Sequence, residues 1–305
     1  MASNLKHIRG RIRAIRNIKK ITKAMELVSI SKMRRAVERV LASRPYAQEY
    51  WRILRGVTAA IDPDTHALLF APWHPPIRVL AIVISSDRGL CGSLNSEMIR
   101  KVAQFHRLLG NDVSVEFVTV GRKIQDAVRR KAWPHVAHFE HLSVLPAIGD
   151  VMAIARLASD GFTARTYDHV FVLYTDFVST IVQHAVVHQL LPLKQSTELG
   201  ETRTNVTGES PEATERTLMD NDILFEPSRD RVLSELLPRL VEVQIYQAVL
   251  ESIASEHAAR MVAMKNATDA ASNLVDDLTL AFNRLRQASI TQEIAEISAG
   301  KAVLE

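Results

Sequence analysis

Residues 233–285 read LSELLPRLVEVQIYQAVLESIASEHAARMVAMKNATDAASNLVDDLTLAFNRL, and their spacing decides the fold. Apolar side chains recur at alternating steps of three and four: Leu233, Leu236, Leu240, Val243, Leu250, Ala254, Met261, Met264, Ala271, Val275, Leu278, Phe282 and Leu285. Only Gln247, His257 and Thr268 interrupt the series. Sustained over about seven heptads, such a stripe predicts a coiled coil rather than an ordinary amphipathic helix. About sixty helical residues make a rod of roughly 90 Å. Pro238 marks either the first turns of the rod or a kink there. Small residues from Ala254 to Ser272 permit close approach by a second helix.

A coiled coil needs a partner strand. The first fifty residues supply one through Leu5, Ile8, Ile12, Ile15, Ile18, Ile21, Met25, Val28, Met33, Val37 and Val40, with a seam that shifts near Ile18 and again near Met33. Leu27, Ile30 and Leu41 lie off this stripe, so more than one side of the helix has apolar surface. The middle of the chain changes period. Strands are expected at residues 77–85, 113–120, 169–175 and 180–187, and helices at 93–109, 122–131 and 150–159. The predicted fold class is therefore α/β plus coiled coil: a long antiparallel pair of terminal helices with an α/β domain inserted between them. The expected boundaries are 1–61 for the first helix, 77–194 for the α/β domain, 195–228 for an insertion and return, and 229–305 for the last helix. Residues 62–76, with four prolines, read as a linker, and residues 195–221 as an exposed loop.

Composition narrows the function. The 305 residues carry a net charge of +4, yet residues 1–55 hold fifteen Lys or Arg against three Glu. Such a basic segment suits nucleic acid, an anionic membrane or an acidic protein surface. Its apolar runs are too short to span a bilayer, and the basic N-terminus lacks the apolar core of a secretory signal. One cysteine, Cys91, excludes an internal disulfide.

Catalytic signatures are missing. The turn from Ser85 to Asn95, SSDRGLCGSLN, joins a strand to a helix, where α/β folds often bind phosphate. It lacks the lysine and hydroxyl of a phosphate-binding loop and the glycine spacing of a dinucleotide site, so a tight strand-to-helix turn with Asp87 and Arg88 paired or capping is the better reading. His135, His138 and His141 have a spacing that a helix could bring to one face, but no accompanying ligand motif favours a metal over a packing role.

The segment from Arg13 to Arg34, the SDRGLCG turn at 86–92, Phe225-Glu226-Pro227, SEHAARM at 255–261 and NRLRQASITQEI at 283–294 closely resemble, in order and spacing, the gamma subunits of F-type ATP synthases. That resemblance implies a central rotor shaft, without catalysis or cofactor of its own, that couples ion flow to ATP synthesis or hydrolysis. Implied partners are the alpha and beta subunits of the catalytic hexamer, an epsilon-type stalk subunit and the membrane c-type ring. Nucleic acid and direct insertion into the bilayer are not implied. Residue by residue, it implies contact with the hexamer through Lys23, Met25, Arg260, Arg286, Gln287, Thr291 and Glu293, and contact with the membrane ring through Ile223, Phe225 and Glu226. Ile223 and Phe225 stand where some relatives carry tyrosine. The implied location is peripheral, on the cytoplasmic face of a bacterial energy-coupling membrane.

Overall fold

The computed structural model describes residues 2–58, 68–69, 77–110, 112–142, 146–193, 226 and 228–304. In chain order the elements are α1 (Ala2–Thr58), β1 (Arg78–Ile84), α2 (Leu94–Leu109), β2 (Ser114–Val120), α3 (Arg122–Arg130), β3 (His135–Phe139), α4 (Ile148–Thr163), β4 (His169–Phe177), β5 (Gln183–Leu191) and α5 (Arg229–Leu304). They form two compact units, one of residues 31–259 and the other of residues 1–30 with 260–305. The insertion 195–221 and most of the linker 62–76 lie outside the described residues. Leu68, inside that linker, is buried in the core, and its carbonyl accepts from Leu193 N–H at 3.0 Å.

In the larger unit the sheet runs β3-β2-β1-β4-β5. The first four strands are parallel, and β5 returns antiparallel to β4. β1 is central, and after Arg78 every residue of it is buried, because an unbroken run of Val, Leu, Ile and Ala suits a strand covered on both faces. Its alternate residues divide between two cores. Val79, Ala81 and Val83 face α2 and α3 through Met98, Val102, Phe105, Ile124 and Val128. Leu80, Ile82 and Ile84 face α4 and the foot of α5 through Val151, Ile154, Ala158, Leu233, Leu237 and Leu240. The result is a three-layer α/β sandwich in which a terminal helix supplies part of one layer.

That role changes the reading of α5. From Leu240 to Ser252 every residue except Tyr246 is fully buried, polar Gln244 and Glu251 included. A helix buried all round has neighbours on more than one side. Ile245, Ala248 and Val249 pack into the sheet core, while Leu250 and Ala254 form a second cluster with Ala36 and Val40 of α1. Polar ties fix the sheet side. Ser252 Oγ accepts from Thr175 N–H at 3.3 Å, Ser255 Oγ donates to Thr175 O at 3.2 Å, and Tyr246 Oη donates to Pro146 O at 3.1 Å.

In the smaller unit the same two helices pair with each other. Thr268 Oγ1 donates to Thr22 Oγ1 at 2.8 Å, and the Arg9 guanidinium lies 5.4 Å from the centre of the Phe282 ring. As the α1 number falls from 22 to 9, its α5 partner rises from 268 to 282, so the helices run antiparallel, as the sequence predicted. Buried or half-buried Met264, Thr268, Ala271, Val275, Leu278 and Phe282 confirm the C-terminal seam, with Thr268 a member of it rather than a gap. Leu285 is 38% exposed.

Two expectations need correction. On α1 the buried Ile12, Thr22, Glu26, Ser29, Ala36 and Val40 and the half-buried Leu5, Ile8, Ile15 and Met33 keep one heptad register, with Met25, Ile30, Lys32 and Val37 half-buried beside it. Ile18, Ile21 and Val28 are 52%, 60% and 54% exposed. The apparent shift arose because the seam passes through polar residues while the apolar ones stand one position aside. The histidines were also misplaced: His135 and His138 sit on strand β3, not a helix. A register break between Phe117 and Val118 lets both rings reach Thr119 Oγ1, at 3.2 and 3.0 Å. Residues 135–139 were missed as a strand because three polar or small residues hide the apolar alternation of an edge.

His188, on β5, is 8% exposed, and burial, only partly offset by Gln244, pushes its pKa down to about 4. The unfolded chain binds this proton below its ordinary value near 6.5 while the folded chain does not, so stability falls as pH drops from about 6.5 to about 4. The lost contribution is about 3 kcal/mol at 1.36 kcal/mol per pH unit. Urea unfolding at pH 7 and pH 4 is expected to show a smaller acid loss in His188→Gln than in the parent chain.

Candidate functional site

Two regions were candidates, the β1–α2 turn and the surfaces of the paired helices. The turn is closed upon itself. Ser86 is 1% exposed, and its Oγ lies 2.7 Å from Arg88 O and 2.9 Å from Asn95 Oδ1. Asn95 Nδ2 in turn donates to Cys91 Sγ at 3.0 Å. Asp87 Oδ1 accepts from Arg122 N–H at 3.1 Å, capping α3, and Oδ2 accepts from His141 N–H at 3.0 Å. Ser85 Oγ accepts from Ile124 N–H at 3.0 Å. Gly121, at φ +94°, sits so close that any Cβ there would run into the Ser85 carbonyl.

Beside the turn is a cleft of about 40 Å³ lined by Ser85, Asp87, Glu140, His141, Ser252 and Glu256 among others. That volume holds one or two waters, far below the several hundred Å³ of a nucleotide-sized pocket. Asp87 caps α3, not the helix α2 that its own turn opens, and both its oxygens accept backbone N–H groups. Among the described residues no group of three His, Cys, Asp or Glu is placed to hold a metal ion. Among them, too, no helix is long and apolar enough to cross a membrane.

The helix surfaces are open. On α1, Lys23 Nζ lies 3.0 Å from both carboxylate oxygens of Glu26, its side chain 54% exposed and that of Glu26 9% exposed. Met25 is half-buried beside it. Ile18, Ile21, Met25 and Val28 make an outward apolar stripe, bordered by the exposed cations Lys19, Lys20 and Lys23. The sequence signal for it is present, since all four residues fall in the expected seam, but they face outward. On α5, Arg286, Gln287, Thr291 and Glu293 are all exposed. Thr291 Oγ1 donates to Gln287 O at 3.0 Å, and Ser289 Oγ to Glu293 Oε1 at 3.4 Å, so the local bonds leave the long side chains outside. Arg260 differs: it is 7% exposed and engaged within its own chain. Glu226 is exposed, whereas Ile223 and Phe225 fall outside the described residues.

An antiparallel pair of long terminal helices, one of them built into a three-layer α/β sandwich, defines a shaft-type stalk protein. Comparison with known proteins carries this further. The family model described as ATP synthase matches residues 4–304. The ATP synthase gamma chain of Chloroflexus aurantiacus is 41% identical over 303 residues, covering 98% of each chain, and that of Herpetosiphon aurantiacus is 42% identical, covering 99% of each. Among solved structures, the central stalk and c-ring structure of Tetrahymena thermophila mitochondrial ATP synthase contains a chain 26% identical with TM-score 0.58, covering 81% of this chain and 99% of that one. A chain from the OSCP/F1/c-ring structure of the Euglena gracilis enzyme, 17% identical, shares the fold with TM-score 0.66 over 100% of this chain and 95% of that one. The chain belongs to the ATP synthase gamma-chain family, the central-stalk rotor subunits of that complex.

Removing the cap tests the closed turn. Asp87→Ala is expected to cost about 1–2 kcal/mol by orphaning two backbone donors. Thermal unfolding should show the loss, with Asp87→Asn intermediate.

Proposed function

We propose that the chain turns inside a hexamer of alpha and beta subunits and transmits rotation between it and a membrane c-type ring, without catalysing ATP chemistry itself. The observation that carries this is the outward stripe of Ile18, Ile21, Met25 and Val28, edged by lysines, on a helix already paired through its other face. A large exposed apolar stripe with a cationic border suits a partner surface that is apolar and acidic. Lys23 and Met25 meet the acidic levers of catalytic subunits, and Arg286, Gln287, Thr291 and Glu293 face the collar above them. Arg260, largely covered, contributes less surface and acts from behind.

Ile223, Phe225 and Glu226 form the foot against the ring, beside an epsilon-type subunit. The chain is then peripheral on the cytoplasmic face of a bacterial membrane, with the ring choosing the ion.

The mechanism follows from asymmetry. Two antiparallel helices of different sequence cannot present the same surface to three surrounding catalytic subunits. At each angle one subunit meets the basic stripe and the others meet different faces. A partner bound more tightly in one state shifts that state's population by the difference in affinity. Contacts worth only a few kcal/mol suffice, since 1.4 kcal/mol is tenfold in an equilibrium.

Met25→Lys, placing a charge inside the apolar stripe, is expected to lower ions pumped per ATP hydrolysed while alpha and beta still co-purify. Reconstituted vesicles with a pH- or sodium-sensitive dye measure this. Unchanged pumping per ATP would refute the contact, and ATP turnover by the purified chain alone would refute the non-catalytic role.

A further inference from the structure

The smaller unit holds an unusual arrangement. In its outer half the seam of α1 is apolar, Leu5, Ile8, Ile12 and Ile15, as expected of a coiled coil. Over the next four seam positions it becomes Lys19, Thr22, Glu26 and Ser29, none of them apolar, and the last three are 9%, 7% and 2% exposed. Ile18, Ile21, Met25 and Val28 repeat that spacing one residue earlier, and three of the four are more than half exposed. A one-residue offset is a turn of about 100° about the helix axis. The segment therefore carries two parallel stripes: a polar one in which Thr22, Glu26 and Ser29 are buried and Lys19 at its end is exposed, and an apolar one turned mostly outward, with Met25 half-buried, largely the reverse of what burial favours.

Local bonds hold the polar stripe. Thr22 Oγ1 lies 3.1 Å from Lys19 O, Ser29 Oγ donates to Met25 O at 2.7 Å, and Glu26 is paired with Lys23, all within α1. Each of these moves with the helix if it rotates. Among the bonds described, only the 2.8 Å hydroxyl contact from Thr268 ties this stripe to α5. The facing surface is accommodating: Met264 and Ala271 are a flexible and a small side chain, and Thr268 Oγ1 keeps its own bond to Met264 O.

We infer that residues 18–29 of α1 have two packings against α5, the observed one and one rotated by about 100° in which Ile18, Ile21, Met25 and Val28 enter the seam. The segment is a bistable element of the shaft. An external partner that covers the apolar stripe holds the observed packing, and release of that partner lets the rotated one populate as well. This rests on the rotor reading, which supplies the partner; co-purification with alpha and beta subunits reports that reading separately.

Engineered thiols in the purified full chain, free of alpha and beta subunits, test it on a Cys91→Ser background. The pair Thr22→Cys with Thr268→Cys is expected to form a disulfide rapidly under mild oxidant, and Ile21→Cys with Thr268→Cys to form one more slowly but to completion. Lys20→Cys with Thr268→Cys, which neither packing brings together, is expected to stay reduced. An Ile21 pair as unreactive as the Lys20 pair would overturn the inference. So would a Lys20 pair as fast as the Ile21 pair, since the helix would then be merely loose. Should the pairs hinder folding, alkylation of single Ile21→Cys in the same partner-free chain is expected to be roughly twofold slower than that of single Lys20→Cys, for equal populations of the two packings. Equal rates would count against it.

Discussion

The structure depends on α5 being buried from two sides at once. Its foot gives Leu233, Leu237, Leu240, Val241, Ile245, Ala248 and Val249 to the core beneath the sheet, and Leu250 with Ala254 to a cluster with α1. Fully burying a Leu or Ile side chain is worth about 1.5–3 kcal/mol, so these residues together outweigh any single polar tie in the larger unit. Several polar side chains there are tied down, although both side-chain amide atoms of Gln244 are buried without a hydrogen bond. Ser252 and Ser255 bracket the backbone of Thr175, and Gln247 Nε2 reaches Glu251 Oε1 at 3.4 Å. A buried hydroxyl or amide without a partner would cost about 1–3 kcal/mol.

The α/β sandwich shows how one strand can serve two cores. β1 sends alternate side chains to opposite faces, and the connections put α2 and α3 on one face and α4 with α5 on the other. The C-terminal edge of such a sheet is where α/β enzymes bind ligands. Here that edge is filled by the chain's own side chains: Ser85, Ser86, Asp87 and Asn95 use their hydrogen bonds on α3, on the turn and on His141. These bonds join the strand ends of the sheet to the helices that follow them.

Much of this was legible beforehand. The heptads of the last helix and the apolar run of β1 are long, regular signals, and periodicity over many residues survives tertiary context. The first helix was read less well for a physical reason. Hydrophobicity assigns the inward face by asking which stripe is more apolar, and between residues 18 and 29 the answer is the outward one. Strand β3 escaped notice because an edge strand is only half covered, so His135, Ala137 and His138 need not alternate with apolar neighbours. Arg260 illustrates another limit. Sequence places it in a motif but cannot tell that the side chain is folded against its own chain.

Thr22 and Thr268 meet across 246 residues of chain, and this separation has a consequence for synthesis. A ribosome adds about 5–20 residues per second, so α1 emerges roughly 12–50 s before the partner helix exists. Throughout that interval both of its apolar stripes face water, and the sandwich that follows cannot complete its lower core until Leu233 to Val249 arrive. The apolar seam of α1 is thus made first and covered last.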